Sequence, residues 1–355
     1  MRKSTVWITV LLIGGITAAS RTQAVQDASA YPPTGKLVDI GGYKLHINAT
    51  GKGRPTVVLI AGAGDFSFDW SLVQPEVARF ARVASYDRAG MAWSDLGPTP
   101  RTMAQDAYEL HLLLQKAALP APYVLVGHSV GGLIARVYAS RYPEEVAGMV
   151  LVDSTHEDTT LMYQGKLVRI RGTAQARPVP PVQTMKTSPP KPPTEDDKKQ
   201  AEFNAQVFGP PKIEPPFDKL PPDVQKMRLW MLAHPQLSAA TDDYWPEELQ
   251  AMYVARAADP VPLGDKPLIV LVASGKGEAA PSELSGEEWK RLQDEKRLQK
   301  EGMVSLSRNH ELIYAEQSGH HIQLDQPQLV VDAIHQVVEA ARKHTKLPAA
   351  SKTEH

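Results

Sequence analysis

Ser129, Asp153 and His320 are residues of the types that acyl transfer needs, and each is expected where a strand gives way to a loop or turn. Ser129 is the middle of Gly127-His128-Ser129-Val130-Gly131. The β-forming run Tyr123 to Val126 precedes it, and Leu133, Ile134, Val137 and Tyr138 follow at helical spacing. Strand, sharp turn and helix in that order hold a serine in a strained backbone conformation with its hydroxyl above the sheet. The flanking glycines leave room for the turn, and the helix aims its positive N-terminus at the site. The blander reading of the same residues is a serine that caps a helix after a glycine turn.

A serine hydroxyl is a weak nucleophile at neutral pH. It needs a base, and the base needs a third group to orient it and balance its charge. Of 11 histidines, His320 is the candidate base, because it follows Ser318-Gly319 directly after the last expected strand. His321 should point the other way and reads as structural, His128 as buried packing, and His310 and His335 as surface residues. His156, Glu157 and Asp158 fit no ordinary zinc spacing. Asp153, on a rigid strand end, is the favoured acid, and Glu278, in the loop after a later strand, is the alternative. The developing oxyanion needs N–H donors, for which Val130 at the helix start and Ala63 in a glycine-rich loop are the candidates.

The elements that must position these groups are legible from patterning. Lys36–Ile40 and Tyr43–Asn48 read as a hairpin through Gly41-Gly42. Thr56–Ile60 and Val146–Val152 are continuous apolar runs, as expected of strands buried on both faces. A helix is expected over Leu72–Phe80, a strand over Arg82–Tyr86 and an amphipathic helix over Met103–Ala118. Strands alternating with helices predict a largely parallel sheet covered on both sides, with ligands beyond the carboxyl ends of the strands. Ala61–Gly64, Ser129 and Asp153 all fall at those ends.

The alternation breaks over residues 154–265, which read as a cap inserted between core segments 31–153 and 266–345, with a polar tail at 346–355. Arg177–Pro193 is too rich in proline for regular structure. Asp223–Leu232 and Tyr244–Ala257 are expected helices, with Met227, Trp230, Met231 and Trp245 forming the cap's own core. The sheet resumes at Leu268–Val272, followed by a charged helix over Gly286–Lys300, a strand at Leu312–Ala315 and a closing helix over Gln328–Lys343.

Composition bounds the rest. At 355 residues, 42% hydrophobic and 22% charged, the chain suits one large domain with an insertion. It has no cysteine, which excludes disulfides, thiolate chemistry and cysteine-ligated metals. With net charge −1 and no basic patch, nucleic acid is not an expected partner. Residues 1–30 read as a leader: Arg2 and Lys3, then the apolar run Val6–Ala19, then small-residue cleavage options at Thr22-Gln23-Ala24 and Ala28-Ser29-Ala30. That run is short of the ~20 residues a bilayer span takes. The expectation is export with cleavage and no stable membrane insertion afterwards; an uncleaved anchor is the alternative.

The order serine, acid, histidine on an α/β sheet resembles the α/β-hydrolase superfamily, specifically its capped esterase and lipase-like members. The resemblance spans about residues 36–343. It rests on Val58–Gly64, Tyr86–Asp95, Gly127–Gly131, Val150–Ser154 and Ser318–Pro327. It implies a mostly parallel eight-stranded sheet with helices on both faces and a cap after the sixth strand. It also implies a Ser-His-acid hydrolase of small-molecule esters needing neither cofactor nor metal. This chain has Ala61-Gly62 where such proteins usually have His-Gly, which leaves open what braces the oxyanion loop. It also lacks the usual Asp after the seventh strand, which favours Asp153, as in members with the acid after the sixth. Serine at position 129 argues against the dehalogenase and epoxide-hydrolase branches. An amide hydrolase or aminopeptidase, with Glu247 or Glu248 holding a substrate ammonium, is the catalytic alternative, although both glutamates read as solvated surface. A ligand-binding protein without turnover is the non-catalytic one.

Overall fold

The computed structural model describes residues 31–163, 166–184, 199, 211–233, 244–275, 280 and 284–348. In chain order the strands are β1 (Lys36–Asp39), β2 (Lys44–Thr50), β3 (Thr56–Ile60), β4 (Val83–Tyr86), β5 (Tyr123–His128), β6 (Val146–Val152), β7 (Thr160–Tyr163), β8 (Lys166–Arg169), β9 (Leu268–Ala273) and β10 (His310–Ala315). The helices are α1 (Gln74–Val77), α2 (Met103–Lys116), α3 (Val130–Arg141), α4 (Pro222–Leu232), α5 (Trp245–Ala258), α6 (Gly286–Glu301), α7 (Ile322–Asp325) and α8 (Pro327–Lys343).

Eight strands form one sheet in the order β1-β2-β4-β3-β5-β6-β9-β10. Only the β1–β2 and β2–β4 pairs are antiparallel. From β4 to β10 every pair is parallel, so all those carboxyl ends lie at one rim. The central strands are buried along their whole length, which explains their unbroken apolar sequences. Their side chains divide by parity. Val58, Ile60, Leu125, Met149, Leu151, Leu268 and Val270 face α2 and α3. Val57, Leu59, Val124, Val126, Val150, Val152, Ile269 and Leu271 face α1 and α8. Each such buried aliphatic side chain contributes roughly 1.5–3 kcal/mol.

Two local expectations are corrected. The helix anticipated over Leu72–Phe80 is only Gln74–Val77, because Pro75 sets its start and the chain turns at once towards β4. The antiparallel hairpin β7–β8 was not anticipated. The anticipated helices at Asp223–Leu232 and Tyr244–Ala257 are α4 and α5, and the part of the proline-rich segment from residue 185 onwards lies outside the described residues. The leader, residues 1–30, also lies outside them, as do residues 349–355 of the tail. Among the described residues no helix is long and apolar enough to cross a membrane.

Between β6 and β9 the chain leaves the sheet and packs back onto it. Trp230 and Met231 of α4 bury themselves against Phe66, Phe68 and Met91 of the body, and Trp245 and Leu249 of α5 join the main core. The expectation that these aromatics and methionines form a separate core of the cap is therefore corrected. They are the seam between cap and body. Polar contacts reinforce it. Glu248 of α5 accepts from the Met103 N–H at 2.7 Å and the Ala104 N–H at 3.0 Å, at the positive end of α2. Glu247 takes the Arg177 guanidinium (Nε–Oε1 2.7 Å). Both glutamates are buried, which overturns the solvated reading of each.

A carboxylate that satisfies two buried helix-end donors is worth about 1.5–3 kcal/mol. Glu248→Ala should lower stability by about that amount in a urea titration, with Glu248→Gln recovering part of it. An unchanged midpoint in the alanine variant would show that the cap is held by its apolar contacts alone.

Candidate active site

Ser129 sits in the turn between β5 and α3 at φ 52°, ψ −123°. Such a backbone costs of order 1–3 kcal/mol and persists only where its surroundings dictate it. Here they do. A Cβ on Gly127 would come within 2.5 Å of the backbone of Gly131 and Gly132, and one on Gly131 within 2.3 Å of the Ile60 carbonyl oxygen. The Ser129 N–H donates to the Val152 carbonyl (3.2 Å), and the Ser129 carbonyl accepts from Gly132 and Thr155 (3.1 Å each). Among the described residues the Ser129 hydroxyl meets Thr155 Oγ1, at 3.5 Å, rather than the His320 imidazole. Hydrogen bonds of this kind are often loose before substrate arrives.

Asp153 lies one residue beyond β6 and is also held at positive φ, 41°. The structure brings it to His320, with Nδ1 and Oδ2 2.6 Å apart. Lys300 of α6 donates to the same Oδ2 at 2.5 Å, and the Ala273 N–H donates to Oδ1 at 2.9 Å. The Asp153 side chain is 1% exposed. Burial works against its charge, but the Lys300 ammonium and the His320 ring together hold the carboxyl well below the usual carboxylate range. The alternative acid Glu278 lies outside the described residues.

The loop after β3 closes the other side. A Cβ on Gly62 would stand 3.1 Å from Ser129 Cβ, so Ala63 follows a residue in contact with the Ser129 turn. Val130 opens α3, where N–H groups lack partners within the helix. The bracing that the missing His-Gly left open comes from Arg88, whose guanidinium donates to the carbonyls of Ala61 (2.5 Å) and Gly62 (2.8 Å).

Asp65, at the end of that loop, ties the site together. Its Oδ2 lies 3.1 Å from His128 Nδ1 and 3.6 Å from His321 Nε2, and its Oδ1 is 3.5 Å from Arg228 of α4. Arg228 also pairs with Asp69 and lies 3.5 Å from the Phe217 ring centre. His128 Nε2 faces the His320 carbonyl oxygen at 3.0 Å, so one buried imidazole links the loop after β3, the turn after β5 and the loop after β10. Burial pushes His128 down to about 4 against the pull of Asp65, and pushes Asp69 up to about 6 against Arg228. Burial also disfavours charge on His321, yet the Asp65 carboxylate outweighs it and raises that ring above its ordinary value. Asp65, His128 and His321 offer ligand atoms within 4.8 Å of one another, a spacing that would suit a metal ion. The cation already facing this trio is the Arg228 guanidinium.

The predicted residues thus divide cleanly. Ser129, Asp153 and His320 lie at one rim, with Val130 next to the serine in the chain and Ala63 one residue beyond the Gly62 that approaches it. His321 and His128 turn to Asp65; His128 is buried as expected, but as a polar link rather than as packing. His310 is exposed, and its Nδ1 meets the Ser307 carbonyl oxygen at 2.7 Å, while the exposed His335 packs edge-on to Phe80. Glu157 pairs with Arg136 and Arg256. Arg88, Asp65 and Lys300 were missed, although Arg88 stands inside a segment whose pattern was noticed. A second serine, histidine and aspartate also meet, at Ser67, His46 and Asp87. There the serine and aspartate share His46 Nδ1, Nε2 accepts from Gly35, and all three are sealed from solvent, so the set is structural.

A model of the Alpha/beta hydrolase family matches residues 57–333. An esterase from Thermogutta terrifontis, solved with malate bound, superposes with TM-score 0.53 over 84% of this chain and 94% of its own, at 21% identity. A meta-cleavage product hydrolase from Pseudomonas fluorescens IP01 superposes with TM-score 0.52 over 85% of this chain and 97% of its own, at 16% identity. At such identities the likeness concerns the fold. An AB hydrolase superfamily protein from Gibberella zeae is 33% identical over 110 residues, 30% of this chain and 34% of that protein. The chain spans less than half the length of the first curated relatives that it matches.

The His321 shift carries a sign. A ring whose folded value is raised stabilises fully below its unfolded value of 6.5 and loses that contribution as pH rises through the folded value. The Tm gap between wild type and His321→Gln should be widest below pH 6.5 and shrink as pH rises above it. A gap that is the same across that range would contradict the Asp65 pairing.

Proposed function

The chain belongs to the alpha/beta hydrolase family, and on that premise we propose that it hydrolyses carboxylic esters of small molecules through an acyl-enzyme. Ser129 Oγ attacks the acyl carbonyl and forms the new C–O bond while His320 Nε2 takes its proton. The Val130 and Ala63 N–H groups receive the oxyanion. One such donor is worth roughly 3–4 kcal/mol in a water-poor site. The tetrahedral adduct then collapses, the C–O bond to the alcohol breaks, and His320 returns the proton to the leaving oxygen. Water, deprotonated by the same imidazole, repeats the sequence and frees Ser129. Asp153 holds the imidazole in the tautomer that presents Nε2 to the serine. No step calls for a metal or cofactor.

The observation that carries this reading is the 2.6 Å contact between a buried, doubly supported Asp153 and His320, beside a serine locked at positive φ. An aminopeptidase would need a free carboxylate for the substrate ammonium. Glu247 and Glu248 are both committed, to Arg177 and to the start of α2, which favours esters over aminoacyl amides. A binding protein without turnover gains nothing from a serine held in a strained turn, which favours the catalytic reading. We further propose that Arg2, Lys3 and Val6–Ala19 direct the chain to export and are removed, on the leader pattern alone.

Purified protein should turn over short and medium p-nitrophenyl esters and form a fluorophosphonate adduct on Ser129. Ser129→Ala should lose about 10⁶ in turnover. Retention of most activity by that variant, or folded wild type that neither turns over nor labels, would end the proposal. Intact mass of protein recovered outside the cytoplasm should lack the leader, and a full-length mass would reject cleavage.

A further inference from the structure

Lys300 is an odd residue to find where it is. Its side chain is only 17% exposed, although lysine is rarely buried without a partner, and its ammonium stands 2.5 Å from Asp153 Oδ2. That is the oxygen that also meets His320 Nδ1, at 2.6 Å. A carboxylate at a histidine would ordinarily be the ring's own counter-charge. Here the counter-charge is shared before any proton moves.

The element bearing Lys300 is anchored. Gln299, the residue before it, donates to the Asp158 carbonyl at 2.7 Å, and Glu295, one turn back, receives Thr160 Oγ1 and Arg169 of the hairpin. The Glu301 carboxylate, next in sequence, receives the Tyr314 hydroxyl of β10 at 2.9 Å. The C-terminal turns of α6 are therefore fixed to the segment after β6 on one side and to the sheet on the other. Lys300 is delivered to Asp153 by a held helix rather than by a wandering side chain.

We propose that Lys300 is a positioning residue for the Asp153–His320 pair: its ammonium fixes the carboxylate that orients the imidazole and shares that carboxylate's charge with the ring. This rests on the esterase reading above. With Lys300 and Asp153 forming a neutral pair, an imidazolium on His320 gains less from Asp153 than it would from a lone carboxylate, and it is repelled by the ammonium. Among the described residues, His128, with its ring centre 4.7 Å from that of His320, and His321, at 5.3 Å, also face the ring. Both meet the Asp65 carboxylate, and they are unaltered in the variants below.

The test compares kcat/KM for a p-nitrophenyl ester across pH in wild type, Lys300→Met, Lys300→Arg and Ser129→Ala, with melting curves to confirm folding. The acid limb should move to higher pH in Lys300→Met, where the repelling charge is gone, and Lys300→Arg should return it towards wild type. Should the methionine variant not fold, Lys300→Gln keeps a donor without charge and should move the limb the same way. A limb that overlays wild type, with turnover lowered equally at every pH, would reduce Lys300 to structural support and overturn the inference. In that case an inactive Ser129→Ala would leave the esterase reading standing, whereas an active one would remove the reading itself.

Discussion

A carboxylate shut away from water has to be matched by donors, and the rim of this sheet is organised around one such group. Asp153 receives a backbone N–H from β9, an ammonium from α6 and an imidazole from the loop after β10. Parallel pairing of β6 with β9 and of β9 with β10 brings those three donors to one corner. The positive φ at Asp153 turns the side chain off the strand end, at a strain cost that the hydrogen bonds offset. Ser129, bonded through its N–H to the last residue of β6, is placed by the same strand. Ser129 and Asp153 are thus fixed relative to one another by backbone, and His320 rides on a loop.

A second buried carboxylate, Asp65, performs the complementary task from the opposite side. It fastens the loop after β3 to His128 and His321 and meets Arg228, the cation that the cap supplies. Around it two carboxylates, one guanidinium and one favoured imidazolium come close to neutrality. Such a cluster is costly to break by removing a single member, because the remaining charges stay buried. The cap is consequently tied to the site by charge as well as by the aromatic seam of Trp230 and Met231 against Phe66 and Phe68.

How much of this was legible in the sequence follows from which forces act locally. The buried strands announced themselves because parallel strands covered on both faces need uninterrupted apolar residues, as Thr56–Ile60 and Val146–Val152 have. Ser129 was legible because its turn needs glycine at 127 and 131 for steric reasons that any such turn shares. Asp153 and His320 could be ranked from their places at strand ends. Lys300 and Asp65 could not, since nothing local distinguishes a lysine in the charged helix Gly286–Glu301 from its solvated neighbours. Their roles arise from pairings across 147 and 63 residues of chain. Glu247 and Glu248 failed in the opposite direction, because polarity suggested surface where long-range partners had buried them. The short helix at Gln74–Val77 and the hairpin Thr160–Arg169 show the same limit, since tertiary context rather than propensity fixed their extents.

The central claim is that Ser129, His320 and Asp153 act as one device rather than as three independent contributors. Turnover of Ser129→Ala, His320→Ala and the double variant measures this directly. If the groups form a unit, the double variant is no slower than the slower single one, because removing either already disables the other. Losses that multiply in the double variant would mean that the serine and histidine contribute separately, and the triad account would be wrong.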